Sequence, residues 1–194
     1  LGSGWAWDDA QSYYSAELSS LPIFGNLIQI YTDSASQSFS VYPELFAKQF
    51  IRNRKRQSSS FKLRFDEESD NYLYSYTTLE NDTIAVPFPS AQNWPLLAKL
   101  GNKKIRKTDY SDISESNEVK IAMPKQLYAD MLKISDNFLA EQLLILASNE
   151  VFDSLDVRRT IRFSLDSVMP DFKHQPRFVD GSGLSRYNLV TSRS

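Results

Sequence analysis

The amino-acid sequence predicts an α+β chain, β-rich over roughly residues 1–88 and mostly helical over roughly 89–194. Two patterns carry this expectation: apolar and polar residues alternate in the first part, whereas apolar residues recur every three or four positions in the second. Composition is the third observation. The 194 residues are 41% hydrophobic, 13% aromatic and 24% charged, as in a folded chain and not a disordered or fibrous one. That length suits one ordinary domain or two small ones, with a sizeable core.

In chain order, a strand is predicted at Leu27 to Thr32. Phe61, Leu63 and Phe65 alternate with Lys62 and Arg64, and Tyr72, Tyr74 and Tyr76 alternate with Leu73 and Ser75. The polar stretch Asp66 to Asn71 lies between these runs, so they form a hairpin with one buried face. A strand at Thr83 to Val86 is closed by Pro87 and Pro89. The basic run Arg52, Arg54, Lys55, Arg56 reads as a solvated loop rather than a grip on a polyanion, since an acidic turn lies close by in sequence. Ser90 caps a short helix that ends at Gly101, with Pro95 in its first turn. After Pro124, the residues Leu127, Met131, Ile134 and Phe138 have the spacing of one helical face. Ser135, Asp136 and Asn137 interrupt it, because their side chains compete for backbone hydrogen bonds and favour caps over helix interiors, so two helices are expected to meet there. The second runs to about Glu150. A further helix is expected from Asp153 or Ser154, carrying Val157, Ile161, Leu165 and Val168 inward and stopped by Pro170. Residues 180–186 contain two glycines and no periodic apolar residues, and read as a tight loop.

Composition also excludes functions. There is no cysteine, which removes disulfides, thiolate zinc sites and a cysteine nucleophile. The single histidine, His174, is flanked by Lys173 and Arg177 and reads as an ordinary surface residue. With 22 Lys+Arg against 24 Asp+Glu, the net charge of -2 offers no field for gathering phosphates, and nucleic acid is not an expected partner. The longest aliphatic run, Leu143 to Ala147, is far short of the ~20 residues that cross a bilayer. The start of the chain lacks the basic and apolar stretches of a secretion signal, so the chain is expected to be cytosolic or to have lost its leader.

The chemistry-bearing candidate is Ser135-Asp136-Asn137. At a helix junction it can present a hydroxyl and a carboxamide side by side, one to relay a proton and the other to hold a peptide group. Its plain structural alternative is a helix N-cap.

Two segments, Lys133 to Leu144 and Asp180 to Thr191, closely resemble the D-alanyl-D-alanine carboxypeptidase/endopeptidase family, the low-molecular-mass class C penicillin-binding proteins. Gly4 to Asp9, Tyr13 to Ser20 and Asn26 are similar to the stretch that follows that family's nucleophile helix. The resemblance implies a β-rich accessory domain, inserted in the family, at 1–88. It implies the helical part of a penicillin-binding-protein/β-lactamase-like transpeptidase fold at 89–194. It also implies a periplasmic or envelope-associated enzyme that cleaves peptidoglycan stem peptides through an acyl-enzyme, needs no cofactor or metal, and is inhibited covalently by β-lactams. The family uses Ser-x-x-Lys for the nucleophile and its base, Ser-x-Asn, and Lys-Thr-Gly. Ser135 and Asn137 stand where the second motif belongs and are the implied catalytic residues. Asp136, Asp180, Ser182, Gly183, Ser185 and Arg186 are implied to support the site, a structural turn being the alternative for the loop. Trp5, Trp7, Asp8 and Asp9 are expected to brace the accessory sheet. Ser59 to Lys62 fits the first motif by letter but lies at a strand edge, where residues three apart face opposite sides. Lys107-Thr108-Asp109 precedes Ser135 and has Asp for Gly. The chain is therefore expected to be an internal piece, between nucleophile and Lys-Thr-Gly strand, inactive alone. The alternative is a non-catalytic cell-wall or protein-binding module that keeps the fold without the chemistry.

Overall fold

The computed structural model describes residues 11–106, 122–171, 174 and 176–192. Of these, residues up to Ala91 belong to one compact unit and those from Gln92 onward to another. The expectations for Trp5, Trp7, Asp8, Asp9 and Lys107 to Asp109 fall outside the described residues.

Among the described residues the first unit holds six strands: β1 Leu27–Asp33, β2 Ser38–Tyr42, β3 Phe50–Arg52, β4 Lys62–Asp66, β5 Asn71–Ser75 and β6 Asp82–Pro87. They form two three-stranded sheets, ordered β2-β1-β6 and β3-β5-β4. In the first, β1 pairs antiparallel with both neighbours, Ile30 facing Val41 on one side and Ile84 on the other. The period of two then sends Ile28 and Ile30 into the interior with no exposure, while Tyr31 faces out. In the second, β4 and β5 form the predicted hairpin, with Phe65 opposite Tyr72, and β3 joins β5 in parallel. The sequence reading missed β2 and β3. β2 is as long as β4 and β5, whereas β3 has only three residues and ends at Arg52, the first residue of the basic run read as loop.

Aromatic rings fill much of this unit. Phe39 of β2 meets Phe50, Phe61 and Tyr74 at centroid distances of 6.0, 5.3 and 4.8 Å. Phe50 and Phe65 each lie 4.9 Å from Tyr72. Tyr72 is buried, and its hydroxyl donates to the Pro87 carbonyl at 2.8 Å. Polar clasps hold the connections. The Gln37 side chain donates to the carbonyls of Ser34 and Leu79 and accepts from the Leu79 amide. Buried Asn26 donates to the Glu17 carbonyl and to Ser19 Oγ.

The second unit is helical: α1 Asn93–Leu100, α2 Lys125–Ile134, α3 Asn137–Phe152 and α4 Val157–Phe163, the last continued by a wider turn at Ser164–Val168. As expected, α1 ends at Gly101 with Pro95 in its first turn, although a separate short turn at Ser90–Gln92 precedes it. α4 begins later than predicted because Asp156, not Asp153 or Ser154, is its N-cap and accepts from Arg159 N. Ile161 is buried, but Val168 is 70% exposed: the wider turn changes the helical period before reaching it. Ile134 is likewise 69% exposed, being the last residue of α2. Ser148 has no exposure and joins α3 to α4, donating to Ser154 O at 2.7 Å and accepting from Asp156 N at 2.8 Å. Among the described residues no helix is long and apolar enough to cross a membrane.

Two outcomes are expected. Replacing Ser148 by Ala removes the acceptor of the part-buried Asp156 N–H and the donor to Ser154 O, and should cost about 1 kcal/mol in urea unfolding. Burial, and then the nearby charge of Asp70, push the Tyr72 phenol above its ordinary value. The folded chain therefore holds its proton after the unfolded chain has lost it, so this contribution is complete below pH ~10 and lost as pH rises past it. Tyr72→Phe should flatten the alkaline fall in stability, read as unfolding midpoints across that range.

Candidate functional site

The site is built on the N-terminal half of α3. Met131 O, near the end of α2, accepts from Asp136 N at 2.9 Å, and the chain turns through Ser135 at φ 55 and ψ 52, the left-handed region. Asp136 then caps α3, its carboxylate accepting from Leu139 N at 2.9 Å. The predicted meeting of two helices at this tripeptide is what the structure has, and Asp136 is committed to the cap. Ser135 is exposed, and among the described residues its hydroxyl forms no hydrogen bond; Asn137, the first residue of α3, is half-buried.

One turn further along α3 lies Glu141, 6% exposed. Its Oε1 accepts from Gly181 N at 3.0 Å, Ser182 N at 2.9 Å and Ser182 Oγ at 2.7 Å. Since positions four apart share a helix face, Asn137 and Glu141 look the same way, about 6 Å apart along the axis. The glycine loop is thus fastened to the same face, one turn beyond Asn137.

A second buried carboxylate shapes the loop itself. Asp180, 7% exposed, accepts from Gly183 N at 3.0 Å and Asn188 Nδ2 at 2.7 Å on one oxygen, and from Ser185 N at 2.6 Å on the other. Reciprocal backbone bonds between Arg177 and Leu189, both 2.8 Å, close the base. The two glycines serve different ends. A Cβ on Gly181 would sit 3.1 Å from Leu144 Cδ2 and 3.2 Å from Ala140 O, so its absence permits the close approach to α3. Gly183 faces open space but has φ +80, a conformation that side chains resist.

The loop also walls a cavity of about 330 Å³ with Leu144, Ile161, Ser164, Met169 and Phe178. Asp180, Ser182 and Gly183 line it, whereas Ser135 and Asn137 do not. Ser185 is buried inside the loop, and Arg186 is exposed. His174 is exposed as well. Ser59 lies in a bend and Lys62 begins β4, so no helical turn joins them. Among the described residues no three His, Asp or Glu side chains gather so as to hold a metal ion.

Sequence reasoning overlooked Glu141, Gly181 and Asn188. The available signal was Glu141, an acid that with Gln142 interrupts the apolar run from Phe138 to Ala147, at the spacing that shares a face with Asn137.

Gly181→Ala and Gly183→Ala should each destabilise the second unit by about 1–3 kcal/mol, the first by collision and the second by backbone strain. Asn at 183 should recover part of the loss, whereas Asn at 181 should recover none. Glu141→Leu should expose the Gly181 and Ser182 amides to rapid hydrogen exchange while leaving α4 protected.

No protein-family model and no curated protein matches the chain. A solved structure does: the crystal structure of penicillin binding protein 4 from Haemophilus influenzae is similar at a TM-score of 0.62 and 18% sequence identity. The match covers 97% of this chain and 47% of that one, so the chain spans about half the length of its structural neighbour. At this identity the likeness is one of fold. The chain is a mixed α/β protein with small sheets and helices, similar in fold to part of a penicillin-binding protein.

Proposed function

We propose that this chain is part of a serine-type D-Ala-D-Ala carboxypeptidase or endopeptidase that acts on peptidoglycan stem peptides in the periplasm or at the envelope. In this reading residues 1–88 are the accessory domain and 89–194 the helical part of the catalytic domain. The observation that carries it is the docking of the loop at 180–186 onto the face of α3 that Asn137 begins, through Glu141. The two segments that resemble the peptidase family are therefore held by one helix. Exposed Leu132, Leu146 and Leu155 in the same unit support the packing of further catalytic segments against it.

In the proposed reaction a serine hydroxyl of a Ser-x-x-Lys motif, which this chain does not carry on a helix, attacks the penultimate D-Ala carbonyl. A bond forms between its oxygen and the carbonyl carbon, the amide C–N bond breaks, and water later releases the acyl group. Ser135 passes the proton from the lysine to the leaving amine, a general acid–base task worth about 10²–10⁴-fold. Asn137 donates its amide to the substrate and steadies the lysine. Asp180, Ser182, Gly183, Ser185 and Arg186 support α3 from the loop, and Asp136 supports the site only by capping α3. A penicillin acylates the same serine.

A labelled penicillin should mark the whole protein covalently and leave this 194-residue chain unmarked. Within the whole protein, Ser135→Gly should slow acylation about 10²-fold or more while preserving or raising stability, because glycine relieves the left-handed strain. Asp136→Ala should do the reverse, costing about 1 kcal/mol through the lost cap with little change in acylation. Labelling of the isolated chain, or equal effects of the two substitutions on acylation, would move the chemistry elsewhere. Failure of the whole protein to label at all favours the non-catalytic binding module.

A further inference from the structure

We infer that the groove along the open edge of β2 binds a neutral saccharide chain. It lies wholly in the strand-rich unit and has a volume of about 920 Å³, at the upper end of ligand clefts. In the sheet order β2-β1-β6, β2 is an edge strand, and the groove wraps around it. Tyr31 and Tyr42 stand on its outward face, 46% and 51% exposed, with Ser40 directly opposite Tyr31 in the register and Ser38 two residues before it. Phe39, Phe50, Tyr74 and Tyr76 line it on the opposite face of β2, so that a ligand would straddle the edge strand.

The chemistry of this lining selects its ligand. No Lys, Arg or His is among the lining residues and the one charged group among them is Glu44; the adjacent cation, Arg52, lies 5.3 Å from the Tyr76 ring centroid and donates to the Tyr76 carbonyl, so the lining itself favours a neutral ligand over an anionic one. Aromatic faces pack against the C–H faces of pyranose rings, while hydroxyls and a carboxylate exchange hydrogen bonds with sugar hydroxyls. Among the described residues the Tyr31 and Tyr42 hydroxyls make no hydrogen bond. Much of the wall is fixed in advance: Tyr74 and Tyr76 are stacked at 6.0 Å and 19°, Phe39 stands edge-on to both, and Tyr76 Oη donates to Gln37 O at 3.1 Å. Rings that are already ordered lose little freedom on binding. An extended peptide added to the β2 edge would use backbone groups and leave the outward tyrosines idle.

The inference rests on the peptidase reading in one respect: the glycan of peptidoglycan is the natural source of such a saccharide. The test uses the N-acetylglucosamine tetramer as probe, titrated into the 194-residue chain by calorimetry and amide NMR. Shifts should concentrate at 31, 38–42 and 74–76. Tyr31→Ala and Tyr42→Ala should each weaken binding about three- to tenfold, the corresponding Phe variants should retain most of it, and Tyr128→Ala in α2 should leave it unchanged. Absence of binding, binding indifferent to both tyrosines, or binding at these residues of an uncharged extended peptide in place of the tetramer would overturn the inference. The two readings fail separately. Penicillin labelling of the whole protein should survive both tyrosine substitutions, and lost labelling with tetramer binding intact counts against the peptidase reading alone.

Discussion

A carboxylate taken out of water costs several kcal/mol after relaxation, and Glu141 is taken out of water on a helix that is otherwise largely apolar. Among the described residues no cation lies within ion-pair distance of it; the one ion pair is the exposed Arg64 with Asp66. Its charge is met instead by two backbone N–H groups and a hydroxyl of the glycine loop. Hydrogen bonds to an ionised acceptor are about twice as strong as neutral ones, so three of them offset much of the desolvation. Two successive amides can converge on one oxygen only if the backbone lies almost against the helix, and the space at Gly181 allows that approach. Helix, glycine and loop conformation are therefore one constraint, with the carboxylate at its centre.

The same device recurs at smaller scale through this unit. Asp180 accepts the inward N–H groups of Gly183 and Ser185, so a loop with no regular structure leaves few of its amides without an acceptor. Asp136 and Asp156 each accept from the first turn of a helix, fixing where α3 and α4 begin. In the strand-rich unit the ordering force is different. Rings of β2, β3, β4 and β5 meet edge-on, tilted or stacked, while carboxylates such as Asp33 and Asp66 hold the turns between strands. Aromatic pairs tolerate some variation in geometry, whereas acid-to-amide bonds do not.

What the sequence disclosed follows the same division. The hairpin of β4 and β5 was legible because two-residue alternation is a property of the strand alone, and the break at Ser135 because three cap-forming side chains in succession have no good place inside a helix. β2 carries the same alternation in Ser38, Phe39, Ser40 and Val41 and was overlooked although the signal was present; its pairing with β1 confirms it as a strand. Val168 was placed inward on an ideal helical period, and the wider turn at Ser164–Val168, preceded by Thr160 and Ser164 hydroxyls bonding back to the carbonyls four residues earlier, is not a local propensity. Gly181 and Gly183 look alike in the sequence. Only the neighbours that the fold supplies tell a collision from a dihedral requirement.

Backbone strain gives an independent view of Ser135. Seven described residues other than glycine have positive φ. Four are Asn or Asp, the types that bear it best: Asn26, Asp70, Asn102 and Asp153. Gln37 uses its side chain as the clasp onto Leu79, and Phe24 sets its ring 5.2 Å from Tyr42. Ser135 is left: a strained position, an exposed side chain, and no hydrogen bond from its hydroxyl to the described residues. Glycine or asparagine would end α2 at lower cost. Folding therefore gives no reason for a hydroxyl at the junction that opens α3, and the proton relay belonging to the proposed function would supply one.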